Sequence, residues 1–310
     1  MYDCFISGAG PVGLFFAYQL AKAGHSVYIC DAKKSPAQYQ SRALGMTART
    51  IEVLENRGVA SHFLKEASVI RGVEVFIYGS KAGTISVSAL DNPYPHLTGL
   101  PQDRTETILG DLLGALGTPI HWETSCVDYS QSDDGVEVRI KRHQEGEGDQ
   151  QEEVIRAKYI VGADGTHSQV RRVTDSWTYE GYAVATRFAL ADVVLKGEDA
   201  EKYLSNALYG KMFYQEKGVF GLFPLKVYED GSVRVRAFGN LGSYELDKTE
   251  RNSSTHGIES ELSLEDLQKV IDERLAPLKV TVTDPTWISN FRINERKANG
   301  FRRGRAFVMG

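Results

Sequence analysis

Hydrophobic and polar residues in the first 60 positions follow the pattern of alternating strands and helices. Tyr2–Ser7 and residues 26–30 are short apolar runs, which are typical of buried parallel strands. Between these runs, apolar residues recur at helical spacing, at Val12, Phe15, Phe16 and Leu20. Gly24 follows as a predicted helix C-cap. This order predicts a parallel strand–helix–strand unit.

The pattern continues with further strands and helices. Thr47 is a plausible N-cap for a helix over 47–57, and Gly58 follows it as a stop signal. A polar, acidic loop is predicted at 143–153. The remaining predicted elements of this part are strands at 73–78 and 84–90, a helix at 102–114, a hairpin at 127–140 and a strand at 154–161.

The pattern of hydrophobic and polar residues changes at about residue 176. Long alternating stretches such as 218–223 and 233–238 predict an antiparallel sheet with one covered face. The other predicted elements are a polar, Ser-rich loop at 248–261, an amphipathic helix at 264–275, and strands at 287–293 and 306–309. The fold class is therefore α/β, with a second, antiparallel lobe.

Composition restricts the function classes. Of the 310 residues, 42% are hydrophobic and 25% are charged, as in an ordinary globular protein. The net charge of −5 provides no general basic field, so we expect no nucleic-acid partner. No apolar stretch approaches the roughly 20 residues of a membrane span, and the first residues carry no basic leader pattern. We therefore expect a cytoplasmic protein without a membrane span.

The three cysteines, Cys4, Cys30 and Cys126, are widely spaced and odd in number. Their spacing matches no metal site and no disulfide framework. Cys4 and Cys30 lie in predicted strands, so we interpret them as buried, inert thiols and expect no metal.

The sequence Gly8-Ala9-Gly10-Pro11-Val12-Gly13 lies between the first strand and the first helix. In such a GxGxxG motif the first glycine permits a tight turn, the second admits a pyrophosphate, and the third allows close helix packing. Asp31 ends the second strand about 20 residues later, where a carboxylate accepts from ribose hydroxyls. The motif predicts a nucleotide cofactor but does not distinguish FAD from NAD(P).

Three further motifs follow in order: SRALG at 41–45, LPQDRTE at 100–106 and YIVGADGTHSQVR at 159–171. Together with the glycine motif they resemble the class A flavoprotein monooxygenases, the single-component aromatic hydroxylases of the p-hydroxybenzoate hydroxylase and phenol hydroxylase type. The resemblance runs from residue 2 to 310 and is loose across 176–285. It implies a GR2-type, Rossmann-like FAD-binding domain with an antiparallel β-sheet substrate domain. The expected domains are FAD-binding at 1–175, substrate-binding at 176–290, and a return to the FAD-binding domain at 291–310.

The resemblance also implies residue roles. Arg171 matches the arginine that closes the Asp-Gly motif, and this motif is also implicated in NAD(P)H handling. The implied FAD contacts are Gly8, Gly10 and Gly13 at the pyrophosphate, Asp31 at the AMP ribose, Arg42 near the adenosine and pyrophosphate, and Gln102, Asp164 and Gly165. Pro11, Val12 and Ala32, which adjoin these residues, are also expected to contact the cofactor.

The last residues, GRAFVMG at 304–310, resemble the approach to the family's third fingerprint. The Asp of that motif, which meets the ribityl chain, would come directly after Gly310. We therefore expect a chain truncated before this Asp, either as a fragment or as a natural product. A product of this length is expected to be poorly soluble or to pair with another chain, for example as a homodimer.

The function implied by the resemblance is hydroxylation of an aromatic or phenolic small molecule. NADPH (or NADH) reduces FAD, O₂ adds to give a flavin hydroperoxide, and its distal oxygen is transferred to the ring. Three alternatives stay open: a same-fold flavin oxidoreductase acting on a non-aromatic substrate, a truncated homologue that binds FAD weakly or not at all, and, more distantly, a nicotinamide-only dehydrogenase.

The sequence does not assign catalytic residues. Tyr209, Tyr214 and His96 are candidates for a base or proton relay by residue type only. The aromatic residues of the second lobe fit either an aromatic pocket or a sheet core, and we favour the core; they include Phe213, Phe220, Phe223 and Phe238.

Overall fold

The structure is a computed structural model of the 310-residue chain, and it describes residues 1–35, 43–143, 152–174, 176–243 and 262–310. Arg42, the predicted loop at 248–261 and most of the predicted loop at 143–153 lie outside the described residues. Within the described ranges, no helix is long and apolar enough to cross a membrane.

Helices and strands alternate along the chain. The helices are α1 Pro11–Lys22, α2 Ala48–Asn56, α3 Ala60–Leu64, α4 Gln102–Ala115, α5 Gln169–Arg172, α6 Glu198–Leu204 and α7 Leu264–Leu275, with a 3₁₀ turn at Gly165–His167. The strands are β1 Tyr2–Ser7, β2 Val27–Cys30, β3 Gly45–Met46, β4 Ser68–Ile70, β5 Gly72–Ile77, β6 Ser80–Ser86, β7 Leu97–Gly99, β8 Ile120–His121, β9 Thr124–Gln131, β10 Val136–Arg142, β11 Glu152–Gly162, β12 Tyr179–Lys196, β13 Tyr209–Gln215, β14 Gly218–Val227, β15 Val233–Ser243, β16 Thr281–Ala298, β17 Arg302–Arg303 and β18 Ala306–Val308.

The chain folds as two compact units. The first contains Met1–Ser41, Gln102–Tyr182 and Glu295–Gly310, and the second contains Arg42–Pro101 and Ala183–Asn294. The predicted α/β fold with an antiparallel sheet is confirmed.

A parallel sheet forms the centre of the first unit. Its strands lie in the order β8-β2-β1-β11-β18, and every neighbouring pair among them is parallel. Strands β9 and β10 extend this sheet in antiparallel fashion from β11, while β17 pairs antiparallel with β18. The chain moves outward from β1 through β2 to β8, and then returns to the other side of β1 with β11. The strand order therefore reverses between β1 and β11.

Helix α1 buries a different face from the one predicted. Val12 is 43% exposed, and Phe15, Phe16 and Leu20 are only partly buried. The buried residues are Gly13, Leu14, Ala17 and Tyr18. The reason lies at Gly13, where the helix backbone approaches Gly8, directly after β1, so closely that this glycine, and not the larger apolar side chains, defines the contact face.

The three cysteines are buried free thiols, as predicted for Cys4 and Cys30. Burial raises the pKa of Cys4 and of Cys126 to about 12, and it raises the pKa of Cys30 well above its usual value. Because the thiolate is the reactive species, these thiols are inert at neutral pH.

The second unit is built on a seven-stranded sheet in the order β16-β12-β15-β14-β13-β5-β6, with a small sheet β3-β7-β4 beside it. Residues 42–101, which were predicted to belong to the first domain, group with this unit because β5 pairs in parallel with β13. The strand predicted at 84–90 occupies Ser80–Ser86 instead. It pairs with β5 through a two-residue turn in which Tyr78 and Gly79 both have positive φ.

Helices α6 and α7 cover one face of the large sheet. The predicted helix at 264–275 is confirmed as α7, and the side chain of Ser263 caps it by accepting from the Asp266 N–H at 3.0 Å. Leu267, Ile271 and Leu275 of α7 are fully buried against the sheet. This apolar layer is the core of the second unit.

The aromatic residues of the sheet divide between its two faces. Phe213 and Phe220 lie in the helix-covered core, as predicted. Phe223 and Phe238 come directly after core residues on β14 and β15, so their side chains point to the opposite face, where they are half-buried.

A buried ion pair lies on this opposite face. Arg236 donates to both carboxylate oxygens of Asp192 at 2.7 Å, and its side chain is 3% exposed. A further nitrogen of Arg236 donates to Ala43 O at 3.0 Å, and the Trp287 ring N–H donates to Asp192 Oδ2 at 3.1 Å. The pair thus joins β12, β15 and β16 to the chain that leads into β3.

We predict that Asp192→Ala strongly destabilises the protein, because it leaves the Arg236 guanidinium buried without its counter-ion. The expected loss is about 3–5 kcal/mol in the free energy of unfolding, measured by urea denaturation. The matched control is Glu137→Ala, which breaks the exposed Arg156–Glu137 pair and should have a much smaller effect. Replacing both buried partners, Asp192→Leu with Arg236→Met, should recover most of the loss. Equal losses of stability in Asp192→Ala and Glu137→Ala would contradict this view of the pair.

Candidate functional site

Two loops lie side by side where the strand order of the parallel sheet reverses. One follows β1 and begins at Gly8, and the other follows β11 and begins at Ala163. They are joined directly, because the Ala163 N–H donates to Ser7 O at 2.8 Å. In open α/β sheets, a crevice at the carboxyl ends of the strands at such a reversal is the usual ligand site.

At two positions of the glycine motif, the backbone geometry permits only glycine. Gly8 has a φ of +104°, and a Cβ there would lie 2.4 Å from Ala163 O. A Cβ on Gly13 would lie 1.9 Å from Gly8 O. Both positions therefore exclude any side chain for structural reasons alone.

Gly10 differs from the other two glycines. It has a φ of −78°, which any residue adopts, and a Cβ there would have no atom within 4 Å. It is also the N-cap of α1 and brings no side chain to bond the N–H groups of the first turn. Open space therefore adjoins a helix N-terminus whose N–H groups and dipole favour an anion such as a phosphate.

Asp31 lies directly after β2 and contacts the glycine loop. Its Oδ2 accepts from the Ala9 N–H at 2.7 Å, and its Oδ1 accepts from the Lys33 N–H at 3.0 Å. Ala32, beside it, is exposed. Each carboxylate oxygen has a second lone pair, so Asp31 can hold the loop and still accept from a ligand hydroxyl.

Asp164 organises the second loop. Its Oδ2 accepts from the Gln169 N–H at 2.8 Å and from the Ser7 hydroxyl at 3.3 Å, so it caps α5 and links this helix to β1. Its Oδ1 is buried and has no hydrogen-bond partner among the described residues. Gly165, which follows, has a φ of +72° and open space beside it. A buried oxygen without a partner is costly, and a ligand donor would remove that cost.

The remaining predicted residues are Gln102, Arg171 and Arg42. Gln102 begins α4, and its side-chain N–H donates at 2.9 Å to Glu106, which is fully buried. Arg171 donates to Thr166 O at 2.6 Å and packs over the Tyr179 ring at 3.9 Å, so it closes the loop after Asp164. Arg42 lies outside the described residues.

Three further residues of this region, Ser7, Ala163 and Glu106, were not predicted from the sequence. Ser7 and Ala163 bind the two loops together, and Glu106 holds Gln102. A small residue before Asp-Gly was the available signal for Ala163, whereas Ser7 and Glu106 carried none. Gly310 also reaches this edge, because a Cβ on it would lie 3.8 Å from the Val12 side chain.

Tyr209, Tyr214 and His96 gain no catalytic role from their positions. Tyr209 is half-buried in β13, and Tyr214 is 46% exposed. His96 packs edge-on against Tyr94, and burial lowers its pKa. In the described part of the chain, no hydrogen bond places any of the three beside a catalytic partner.

Comparison with known proteins agrees with this geometry. A family model described as "FAD binding domain" matches residues 1–310.

The chain is 30% identical over 316 residues to a flavin-dependent monooxygenase of Mycobacteroides abscessus, covering 98% of the chain and 60% of that relative. It is 29% identical over 318 residues to rifampicin monooxygenase of Streptomyces venezuelae, covering 100% and 58%. The anhydrotetracycline hydroxylase OxyS of Streptomyces rimosus is similar in structure, with a TM-score of 0.72, 27% identity, and coverage of 100% of this chain and 56% of that one. The chain thus spans little more than half the length of these relatives.

We predict that Gly13→Ala destabilises the protein and that Gly10→Ala does not. The Gly13 methyl would clash with the backbone of Gly8 and should lower the free energy of unfolding by about 1–3 kcal/mol or more. The Gly10 methyl enters open space at a compatible φ and should leave the melting temperature nearly unchanged. Thermal denaturation followed by circular dichroism measures both. A large loss in Gly10→Ala would show that the space beside Gly10 is not open.

Proposed function

The chain belongs to the FAD binding domain family, and from this premise we propose that it is the greater part of an FAD-dependent, NAD(P)H-consuming monooxygenase that hydroxylates an aromatic small molecule. The observation that carries the proposal is the crevice at the strand reversal. The loop after β1 carries an open glycine, Gly10, at a helix N-terminus, and it packs through Gly8 against the Ala163–Asp164 backbone. Asp164 in turn has a buried carboxylate oxygen without a partner in the described structure.

The residues at this crevice fit FAD. Gly10, with Pro11, Val12 and the start of α1, would receive the pyrophosphate, while Gly8 and Gly13 keep the backbone close enough to do so. Asp31 and its neighbour Ala32 would face the AMP ribose. Asp164 and Gly165 would meet a second hydroxyl-bearing part of the cofactor, with Asp164 Oδ1 accepting a hydrogen bond there. Gln102 and Arg42 complete the proposed set.

FAD, when bound, would supply the redox chemistry, with NADPH or NADH as reductant and O₂ as oxidant. The chain itself supplies position and electrostatics. The α1 dipole balances phosphate charge, Asp31 fixes the glycine loop through Ala9, and Glu106 orients the Gln102 amide.

The substrate class rests on the relatives. Proteins named rifampicin monooxygenase and anhydrotetracycline hydroxylase resemble this chain across its whole length, and both names denote oxygenation of aromatic compounds. The cytoplasmic location and the homodimer expected from the sequence stay predictions. A direct FAD-binding measurement distinguishes this proposal from the alternative of a homologue that binds FAD weakly or not at all.

We predict that the purified chain, incubated with FAD and passed through gel filtration, retains a flavin absorption spectrum. Gly10→Ala should weaken FAD affinity about tenfold or more, because its methyl group displaces a charged ligand from backbone donors worth about 1.5–3 kcal/mol. Titration of FAD fluorescence measures the affinity.

Gly114→Ala is the matched control. Gly114 also has open space for a Cβ but lies in α4, so this variant should bind FAD as the wild type does. A wild-type chain that retains no flavin would favour the non-binding alternative. If flavin is retained, faster NADPH oxidation in the presence of phenols would support the hydroxylase, and indifference to phenols would favour a non-aromatic substrate.

A further inference from the structure

A cavity of about 810 Å³ lies in the second unit, at the turn that joins β14 to β15. Residues of β12, β14, β15 and β16 and of this turn line the cavity, and all of them belong to the second unit. Small-molecule sites in proteins have volumes of about 300–1,000 Å³, so this cavity is large enough for a ligand. Its lining side chains include three cations, Lys196, Lys226 and Arg234.

Two of these cations, Lys226 and Arg234, form a cross-strand pair that we call the cationic pair. Lys226 of β14 lies directly opposite Arg234 of β15. Arg234 lies between the core residues Val233 and Val235, so both side chains of the pair point away from that core. Like charges that are directly opposed in a sheet repel each other. The cationic pair is therefore unfavourable unless a negative charge lies beside it.

Within the described part of the chain, neither member of the cationic pair forms an ion pair with a carboxylate. Arg234 Nε donates to the Tyr228 hydroxyl oxygen at 3.0 Å, and Arg234 Nη1 donates to Thr286 Oγ1 at 2.6 Å. Lys226 Nζ lies 5.1 Å from the centroid of the Tyr228 ring. Because the Tyr228 oxygen accepts from Arg234, its own hydrogen remains available to an acceptor. Lysine, arginine and tyrosine donors thus line the same cavity.

One carboxylate of the cavity, Asp284, belongs chiefly to the third cation. Its Oδ2 lies 3.5 Å from Lys196 Nζ. A hydrogen bond from Thr283 and the charge of Lys196 lower the pKa of Asp284, and the charge of Arg234 contributes less. Lys196 is therefore compensated at close range, whereas Arg234 is not.

The other two carboxylates belong to the turn between β14 and β15. Asp230 Oδ1 accepts from the Ser232 N–H at 3.0 Å and also from the Ser232 hydroxyl. Glu229 is exposed beside it. The charged lining is thus balanced in number, but its positive charge is concentrated at the cationic pair.

From this arrangement we infer that Lys226, Arg234 and Tyr228 bind the phosphate group of a small molecule in this cavity. A phosphate beside the cationic pair would offset its repulsion and accept from the remaining N–H and O–H groups. A phosphate monoester carries a charge of about −1.5 to −2 and three strong acceptor oxygens, which suits three donors of which two are charged. The inference does not depend on FAD binding, because none of these residues belongs to the crevice of the first unit.

Binding is tested by amide NMR on the full chain, with inorganic phosphate replacing chloride at constant ionic strength. We expect the Gly231 and Ser232 amide signals, in the turn beside the cavity, to shift saturably at millimolar phosphate. These signals report this cavity separately from any phosphate bound near Gly10. Lys226→Met should weaken the binding about 3- to 10-fold, because a charged donor is lost.

Two further variants provide the controls. Lys217→Met removes the same charge from a 72% exposed lysine that pairs with Glu273 in the same unit, and it should leave the phosphate affinity unchanged. Glu229→Gln removes a negative charge from the cavity wall and should strengthen the binding about 2-fold. The dispersion of the amide spectrum shows that each variant is folded.

Absence of saturable shifts at Gly231 and Ser232, equal weakening by Lys226→Met and Lys217→Met, or weaker binding in Glu229→Gln would overturn the inference. The source of the phosphate is tested by sedimentation with vesicles that contain phosphatidic acid. Vesicle binding that Lys226→Met abolishes would assign the phosphate to a lipid and overturn the small molecule as its source. Phosphate binding without vesicle binding supports the inference as stated.

Discussion

The close backbone contact among Gly8, Gly13 and Ala163 is the constraint on which the first unit depends. A methyl group on Gly8 would come within 2.4 Å of Ala163 O, and one on Gly13 within 1.9 Å of Gly8 O. This contact brings the start of α1 onto β1 and β11 at the point where the strand order reverses. It therefore places a helix N-terminus, the Asp31 carboxylate and the Asp164 carboxylate around one crevice. The same tight packing explains why α1 buries Gly13, Leu14, Ala17 and Tyr18 and not its largest apolar residues.

The second unit depends on different interactions on the two faces of its sheet, one of which is covered by α6 and α7. On the covered face, apolar side chains from α6, α7 and the strands exclude water. On the other face, the Asp192–Arg236 pair takes two charges out of water, and it compensates them with a bidentate bond and with contacts to Ala43 and Trp287. Removal of one partner from such a pair leaves a buried charge uncompensated, whereas replacement of both partners by apolar residues is often nearly neutral.

Helices and turns that are determined by neighbouring residues were predicted from the local sequence. Helix α7 and its Ser263 cap, the Thr47 cap of α2 and the loops around Gly8 and Asp164 followed from periodicity and turn residues. Features that depend on contacts between residues far apart in the sequence were not predicted. The grouping of 42–101 with the second unit depends on the pairing of β5 with β13, and the division of the phenylalanines depends on which sheet face the helices cover. The bond between Asp31 and Ala9 likewise depends on tertiary contact, and the roles of these residues toward FAD remain proposals.

The tryptophan positions have a consequence for spectroscopy. Trp177 lies in the first unit under the Arg303 guanidinium, at 4.5 Å, whereas Trp287 lies in the second unit beside the buried ion pair. Trp122, the remaining tryptophan, also lies in the first unit. Indole emission responds to nearby charge and water, so each unit carries its own optical reporter. Replacing Trp122 and Trp177 by phenylalanine leaves a chain whose fluorescence comes from the second unit alone, in which the unfolding of that unit can be observed separately.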